Sequence, residues 1–360
     1  IEPKQGVYDE NEIEHYRKVL TCCRENGVEP IVTMMHFTSP KWLIENGGWE
    51  NEATVEAFKN YCQYVTEQLG DLMHYVCTIN EANMGIQVAA ISARYRAQMM
   101  AKMQRMQQGG AEEKKDLEGT AQVGMNFNDM MANMQKQKEE NVEIFGTDTL
   151  QTFVSARTPE GDMLVIRAHQ AARAAMKAVK PELQIGLTLS LHDIQAQEGG
   201  EETAAKEWVD EFTHYVPYIK EDDFFGLQNY SRSLIGPNGI LPVPEGAEIT
   251  QMDYEYYPEG LEHVIRRVYE EMPMPIMVTE NGIATADDTR RVAYIQTAMK
   301  GVENCIQDGI PVKGYMYWSM MDNFEWQKGF GMTFGLISVD RTTQTRTAKP
   351  SLTVLGNYTK

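Results

Sequence analysis

The chain is short of the features that mark several common functions. No apolar run approaches the roughly 20 residues needed to cross a bilayer, so no membrane span is predicted. Positive charge is scarce: 33 Lys and Arg face 52 Asp and Glu, for a net charge of −19. Nucleic-acid binding draws on clustered cations, and isolated pairs such as Arg290–Arg291 do not supply them. A neutral substrate such as a sugar fits this balance better than a polyanion. Cysteine is also sparse, and Cys22, Cys23, Cys62, Cys77 and Cys305 form an odd set without CxxC or metal-ligand spacing. Such a set predicts reduced thiols in a cytoplasmic protein, with no metal and no cofactor. No signal-peptide pattern is visible, although the chain opens Ile1-Glu2-Pro3 rather than with Met.

What is present is an alternation of short apolar runs with longer helical patterns, the mark of repeated βα units around a parallel sheet. Six strands are predicted: Pro30–Met35, Tyr75–Ile79, Gln184–Leu189, Asp223–Gln228, Ile276–Thr279 and Val312–Trp318. Most are continuously apolar, as expected when both faces are covered. Asp9 can cap a helix carrying Ile13, Tyr16, Val19 and Leu20, and Asn51-Glu52 open one with Val55, Phe58 and Tyr61. Two more helices run from Met163 to Val179 and from Leu261 to Glu271, each stopping before a proline. The reading is a single α/β domain over residues 1–360 of the (β/α)8 TIM-barrel type, with six βα units evident.

One stretch breaks the rhythm. Residues 92–148 are rich in Gln and Met, with Met99, Met103 and Met106 at helical spacing, then Gly109-Gly110, then Met130, Met131 and Met134. They predict a helical insertion whose Met side chains pack on the barrel or on each other. A partner or lid role is the second reading, since Met suits adaptable surfaces.

The chemistry collects at strand ends, where parallel barrels carry their functional side chains. In order these are His36, Asn80-Glu81, Tyr230, Glu280-Asn281, and Trp318 followed by Glu325-Trp326. Two carboxyl groups across a pocket suit glycoside cleavage: one protonates the leaving oxygen while the other attacks the anomeric carbon, roughly 5–5.5 Å away in retaining enzymes. Aromatic rings offer a sugar a flat platform, and Asn, His and Glu offer directed hydrogen bonds.

Five ordered motifs resemble family 1 glycoside hydrolases over essentially the whole chain. Thr78-Ile79-Asn80-Glu81-Ala82 resembles the acid/base motif and Val278-Thr279-Glu280-Asn281-Gly282 the nucleophile motif. Tyr317-Trp318-Ser319 with Asp322-Asn323-Phe324-Glu325-Trp326 resembles the last-strand signature. The segment from His36 to Leu43, with Gly48-Trp49, resembles the third-strand region, and Asp223 to Tyr230 the sixth. The resemblance implies that Glu81 is the general acid/base and Glu280 the nucleophile. It implies that Asn80 binds the sugar 2-hydroxyl and that Tyr230 hydrogen-bonds Glu280 and favours its ionised form. His36 and Glu325 would hold glycone hydroxyls, Trp318 would stack, and Trp326 would lie beside it. For Trp42 and Trp49 core packing is the better reading. Glu325 favours an unphosphorylated glycone such as glucose, because a carboxylate repels a phosphate dianion.

The pattern departs at Ala82, where the family usually has Pro, at Gln228-Asn229, which replaces an Asn-Tyr pair, and at Tyr254, where Trp is common. Ile1-Glu2-Pro3 resembles a stretch that follows the family's second strand, so the six strands correspond to strands 3–8. A Gln that binds the glycone and an Arg beside the nucleophile would then be absent. The expectation is a retaining β-glycosidase acting by double displacement on unphosphorylated β-glucosides, with reduced activity and a tendency to form homo-oligomers. The alternative is a degenerate partial barrel that binds a sugar or an apolar planar ligand with little turnover.

Overall fold

The computed structural model describes residues 1–107, 127–146, 148 and 150–359. These fall into two compact units, one holding residues 1–107, 137–146, 148, 150–190 and 214–226 and the other residues 127–136, 191–213 and 227–359.

In the first unit three strands, Ile31–Met35, Tyr75–Ile79 and Gln184–Gly186, pair in parallel, with Ile31 beside Tyr75 and Tyr75 beside Gln184. The third resumes after Leu187 as Thr188–Ser190, so the run expected as one strand is two short ones in line. Val76, Ile79, Ile185, Leu187 and Leu189 are all fully buried, which is why these strands read as continuous apolar runs. Helices Ala53–Leu69 and Pro159–Val179 pack on each other. They bury Phe58, Cys62, Val65 and Leu69 on one side and Leu164, Val165, Ala168, Ala172 and Met176 on the other. Thr158 caps the second of these by accepting the Gly161 N–H at 3.0 Å, with Pro159 preset for the first turn.

The first helix, Glu10–Glu25, is capped as expected: Asp9 accepts the Asn11 N–H at 2.9 Å. Its buried line is narrower than predicted. Ile13 and Leu20, seven residues apart, are buried, but Tyr16 and Val19 are exposed. At about 100° per residue Val19 lies a third of a turn off that line. Trp49 is buried and donates to Ser39 Oγ at 3.1 Å, while Trp42 is half-buried and donates to the Glu2 carbonyl at 3.0 Å.

In the second unit Ile276–Asn281 and Val312–Tyr317 pair in parallel, from Val312 beside Ile276 to Tyr317 beside Asn281. Helices Gly260–Glu271 and Asp288–Gln307 cover them with Leu261, Val264, Ile265 and Val268, and with Tyr294, Ile295, Ala298 and Val302. A small sheet of Asp193–Ala196, Arg232–Gly236 and Gly239–Ile240 was not predicted, because Asp-Ile-Gln-Ala is too short and polar to read as a strand. The strand predicted over Asp223–Gln228 begins two residues later than expected, at Phe225.

Within the predicted insertion, helices Met84–Gln107 and Phe127–Phe145 are present. Gly109-Gly110, and the packing expected of Met99, Met103, Met106, Met130, Met131 and Met134, lie outside the described residues. Among the described residues no helix is long and apolar enough to cross a membrane.

Candidate active site

The first unit gathers His36, Asn80 and Glu81. Strand Tyr75–Ile79 keeps its register for one more residue, the Asn80 N–H donating to the Met35 carbonyl at 2.9 Å. The chain then turns sharply. Glu81 has φ 43°, in the left-handed region, where a side chain other than glycine costs about 1–3 kcal/mol and persists only if its surroundings impose it. Here they do: the Glu81 N–H donates to Thr188 Oγ1 and the Ala82 N–H to the Thr188 carbonyl, each at 2.9 Å. Three residues on, helix Met84–Gln107 begins. Glu81 is left only 7% exposed and Asn80 4%. Asn80 Nδ2 lies 3.3 Å from His36 Nε2. Burial holds the His36 imidazole below its ordinary pKa, which favours the neutral ring, one of whose nitrogens can accept from an amide.

The second unit gathers Tyr230, Glu280, Trp318, Glu325 and Trp326. Glu280 lies inside strand Ile276–Asn281, one residue further into regular structure than predicted, and is 8% exposed. Tyr230 Oη donates to Glu280 Oε2 at 2.5 Å, a short bond typical of a hydroxyl facing a carboxylate. The Tyr230 backbone is fixed in turn. Asn281 Nδ2 donates to the Asn229 carbonyl at 2.7 Å and to Tyr294 Oη at 3.0 Å, and Tyr294 Oη donates to the Tyr230 carbonyl at 3.2 Å. Tyr315 Oη completes the set by donating to Asn281 Oδ1 at 2.8 Å.

Burial pushes the Glu280 carboxyl up to about 7; hydrogen bonds from Tyr230 and Gln228 pull it down, and the nearby Glu325 charge pushes it further up. Tyr230 therefore favours the ionised form, as expected, but desolvation prevails. Glu325 is itself raised to about 7 by burial. Its loop is closed by reciprocal backbone bonds between Glu325 and Gly329 at 2.8 and 2.7 Å. Lys328, beside it in sequence, is engaged with Asp253 at 3.6 Å. Trp318 donates its backbone N–H to the Asn281 carbonyl at 2.9 Å and packs on the buried cluster of Met252, Tyr254, Ala284 and Phe334, as does Tyr230. Trp326 is 40% exposed. A buried carboxyl that titrates near 7, steered by a tyrosine hydroxyl, can serve as a nucleophile once ionised. Among the described residues no group of three or more His, Cys, Asp or Glu side chains is placed to hold a metal ion.

The sequence model of glycosyl hydrolase family 1 matches residues 2–108 and 243–358. The chain belongs to this family. It is 26% identical to the β-glucosidase of Agrobacterium sp. (strain ATCC 21400), over 96% of this chain and 75% of that enzyme. It is 25% identical to the β-galactosidase of Pyrococcus woesei, over 96% of this chain and 71% of that one. Among solved structures, a β-glycosidase with 40% identity matches 99% of this chain and 79% of its own, with a TM-score of 0.81. A β-glucosidase solved without ligand, at 35% identity, matches 99% of this chain and 80% of its own, with a TM-score of 0.83. The protein is thus a glycoside hydrolase of the retaining β-glycosidase class, acting on a sugar substrate, with a fold of the (β/α)8 barrel type.

Several residues of this family 1 chain that shape the two clusters were given no role from sequence. Gln228 had been noted as a variation that keeps an amide; its side chain in fact bonds Glu280. Gly282 ends the nucleophile motif because a Cβ there would sit 2.1 Å from the Trp318 carbonyl oxygen. Thr188 lies inside the predicted strand Gln184–Leu189 with nothing to single it out, and Arg157 carries no motif at all. Only a contact across more than a hundred residues, such as that from Thr188 to Glu81, shows what Thr188 does.

Proposed function

We propose that Glu280 is the nucleophile and Glu81 the general acid/base in hydrolysis of unphosphorylated β-glucosides. In the first step the Glu280 carboxylate attacks the anomeric carbon while the Glu81 carboxyl gives its proton to the departing glycosidic oxygen. In the second, Glu81 takes a proton from water, which displaces Glu280 and releases the sugar with its configuration retained. The observation that carries the reading is the 2.5 Å bond from Tyr230 to a buried Glu280. His36, Asn80, Glu325, Trp318 and Trp326 are assigned to glycone binding, with Asn80 on the 2-hydroxyl.

Two features support a neutral glycone. Glu325 adds to the negative potential at Glu280, which opposes a phosphate dianion, and Lys328 is already partnered by Asp253. The relatives' names include both β-glucosidase and β-galactosidase, so the sugar is tested directly. Replacing Glu280 by Gln should lower turnover of a nitrophenyl β-glucoside by at least about 10⁴-fold. Rates of both forms equal to the uncatalysed background would leave sugar binding without catalysis, and equal rates above it would remove Glu280 as the nucleophile. Faster turnover of the β-galactoside or the 6-phosphoglucoside would reassign the glycone.

Association and location belong to the same proposal. Met320, Phe324, Trp326 and Phe330 are exposed apolar side chains within eleven residues of sequence, and they support a homo-oligomer, which light scattering would test. Five free thiols, with Cys62, Cys77 and Cys305 buried, support a cytoplasmic setting.

A further inference from the structure

We infer that Thr188 and Arg157 are positioning residues for Glu81, clamping the left-handed turn that aims its carboxyl; the inference rests on the assignment of Glu81 as acid/base. Thr188 takes both backbone N–H groups at the turn: its hydroxyl accepts from Glu81 and its carbonyl from Ala82, each at 2.9 Å. The same hydroxyl donates to the Ile79 carbonyl at 3.3 Å, so it bridges both sides of the turn. Thr188 is 1% exposed. Its rotamer depends on Gly226, where a Cβ would come within 2.5 Å of the Thr188 methyl. Ala82 has an N–H to give to Thr188, a bond that a proline at this position could not make.

Arg157 holds the carbonyl of the same residue, in the next peptide group. Its guanidinium donates to the Ala82 carbonyl at 2.8 Å and to the Phe153 carbonyl at 2.9 Å, and it lies over the Phe153 ring at 4.5 Å. A Cβ at Gly85 would sit 2.6 Å from the guanidinium, so glycine there makes room for it. Asp162, 3.5 Å from Arg157, is fixed by His214 at 3.0 Å and Tyr215 at 2.8 Å. The peptide groups on both sides of Ala82 are thus held, one by Thr188 and one by Arg157, and these bonds oppose relaxation of Glu81 toward an ordinary φ.

The test exploits a property of acid catalysis: a departing alcohol needs the proton, whereas a departing dinitrophenolate does not. Thr188→Val keeps the shape and removes the hydroxyl. It should lower kcat/KM for an alkyl β-glucoside by about ten- to hundredfold, the cost of a misplaced catalytic group, and for a dinitrophenyl β-glucoside by less than about threefold. Thr188→Ser, which keeps the hydroxyl, should restore the alkyl rate, and Arg157→Lys should show the same leaving-group split in weaker form. Hydrogen exchange at the Glu81 and Ala82 amides should quicken in Thr188→Val. Equal losses on both substrates, or unchanged exchange at 81–82, overturn the inference. If Glu81→Ala itself loses activity equally on both substrates, the acid/base assignment fails instead, and the exchange measurement still decides whether the clamp exists.

Discussion

In the first unit the buried carboxyl is aimed by the main chain. Glu81 sits at φ 43° just beyond a strand, and its direction follows from backbone bonds to Thr188. In the second unit Glu280 lies within a regular strand, and what acts on its carboxyl is other side chains, Tyr230 and Gln228 as donors and Glu325 as a like charge. The difference matches what each proposed role requires. An acid/base must point at a departing oxygen, so geometry is what it needs held. A nucleophile must be ionised at working pH, so electrostatics is what it needs adjusted. Changes near Glu81 should therefore act through leaving-group dependence, and changes near Glu280 through pH dependence.

The largest expected effect after loss of Glu280 is at Glu81. Glu81→Ala should lower kcat for an alkyl β-glucoside by about 10²–10⁴-fold, the usual contribution of a positioned general acid. The loss of kcat/KM on a dinitrophenyl glucoside should be far smaller. Steady-state rates on a series of leaving groups measure this directly. A loss independent of the leaving group would remove the contrast between the two glutamates.

Much of this contrast was legible in the sequence, and the reason is physical. Strands covered on both faces must be apolar throughout, so Val76 to Ile79 and Ile276 to Val278 stand out, and the polar residues after or near their ends stand out against them. Glu81, Asn80, Tyr230 and Glu280 are proposed as site residues on that ground. What was hidden depends on three-dimensional neighbours. Thr188 is a β-branched residue in an apolar strand and reads as a strand former; its two bonds to the Glu81 turn appear only when the strands are side by side. Gly226 reads as a weak spot in a strand, but its missing side chain is what seats Thr188. The raised Glu280 carboxyl was invisible because burial, its main cause, belongs to the folded protein.

Tyr230→Phe probes the second half of the comparison. It removes the 2.5 Å donor that lowers the Glu280 carboxyl, so that carboxyl should rise above about 7. The nucleophile must be ionised, and activity is lost as pH falls through its pKa, so the acid limb of the kcat/KM profile should move to higher pH. A loss of about tenfold in kcat/KM at pH 7 is expected from one strong hydrogen bond to a charged group. An unmoved acid limb would mean that Tyr230 aligns Glu280 without affecting its ionisation.

Glu325→Gln should give the smallest effect and the opposite sign. The substitution nearly preserves shape and removes the negative charge that pushes Glu280 up. With that repulsion gone, Glu280 ionises more readily, and the acid limb should shift to lower pH. Binding complicates the reading, because Glu325 is also assigned to glycone hydroxyls, and its loss should raise KM. The two effects separate because a weaker contact scales kcat/KM at every pH, whereas a changed pKa displaces the curve along the pH axis. Burial remains after the substitution and is the larger cause, so the acid limb should stay above the ordinary carboxylate range. A limb at about 4.5 would show that Glu325, and not desolvation, sets the ionisation of Glu280.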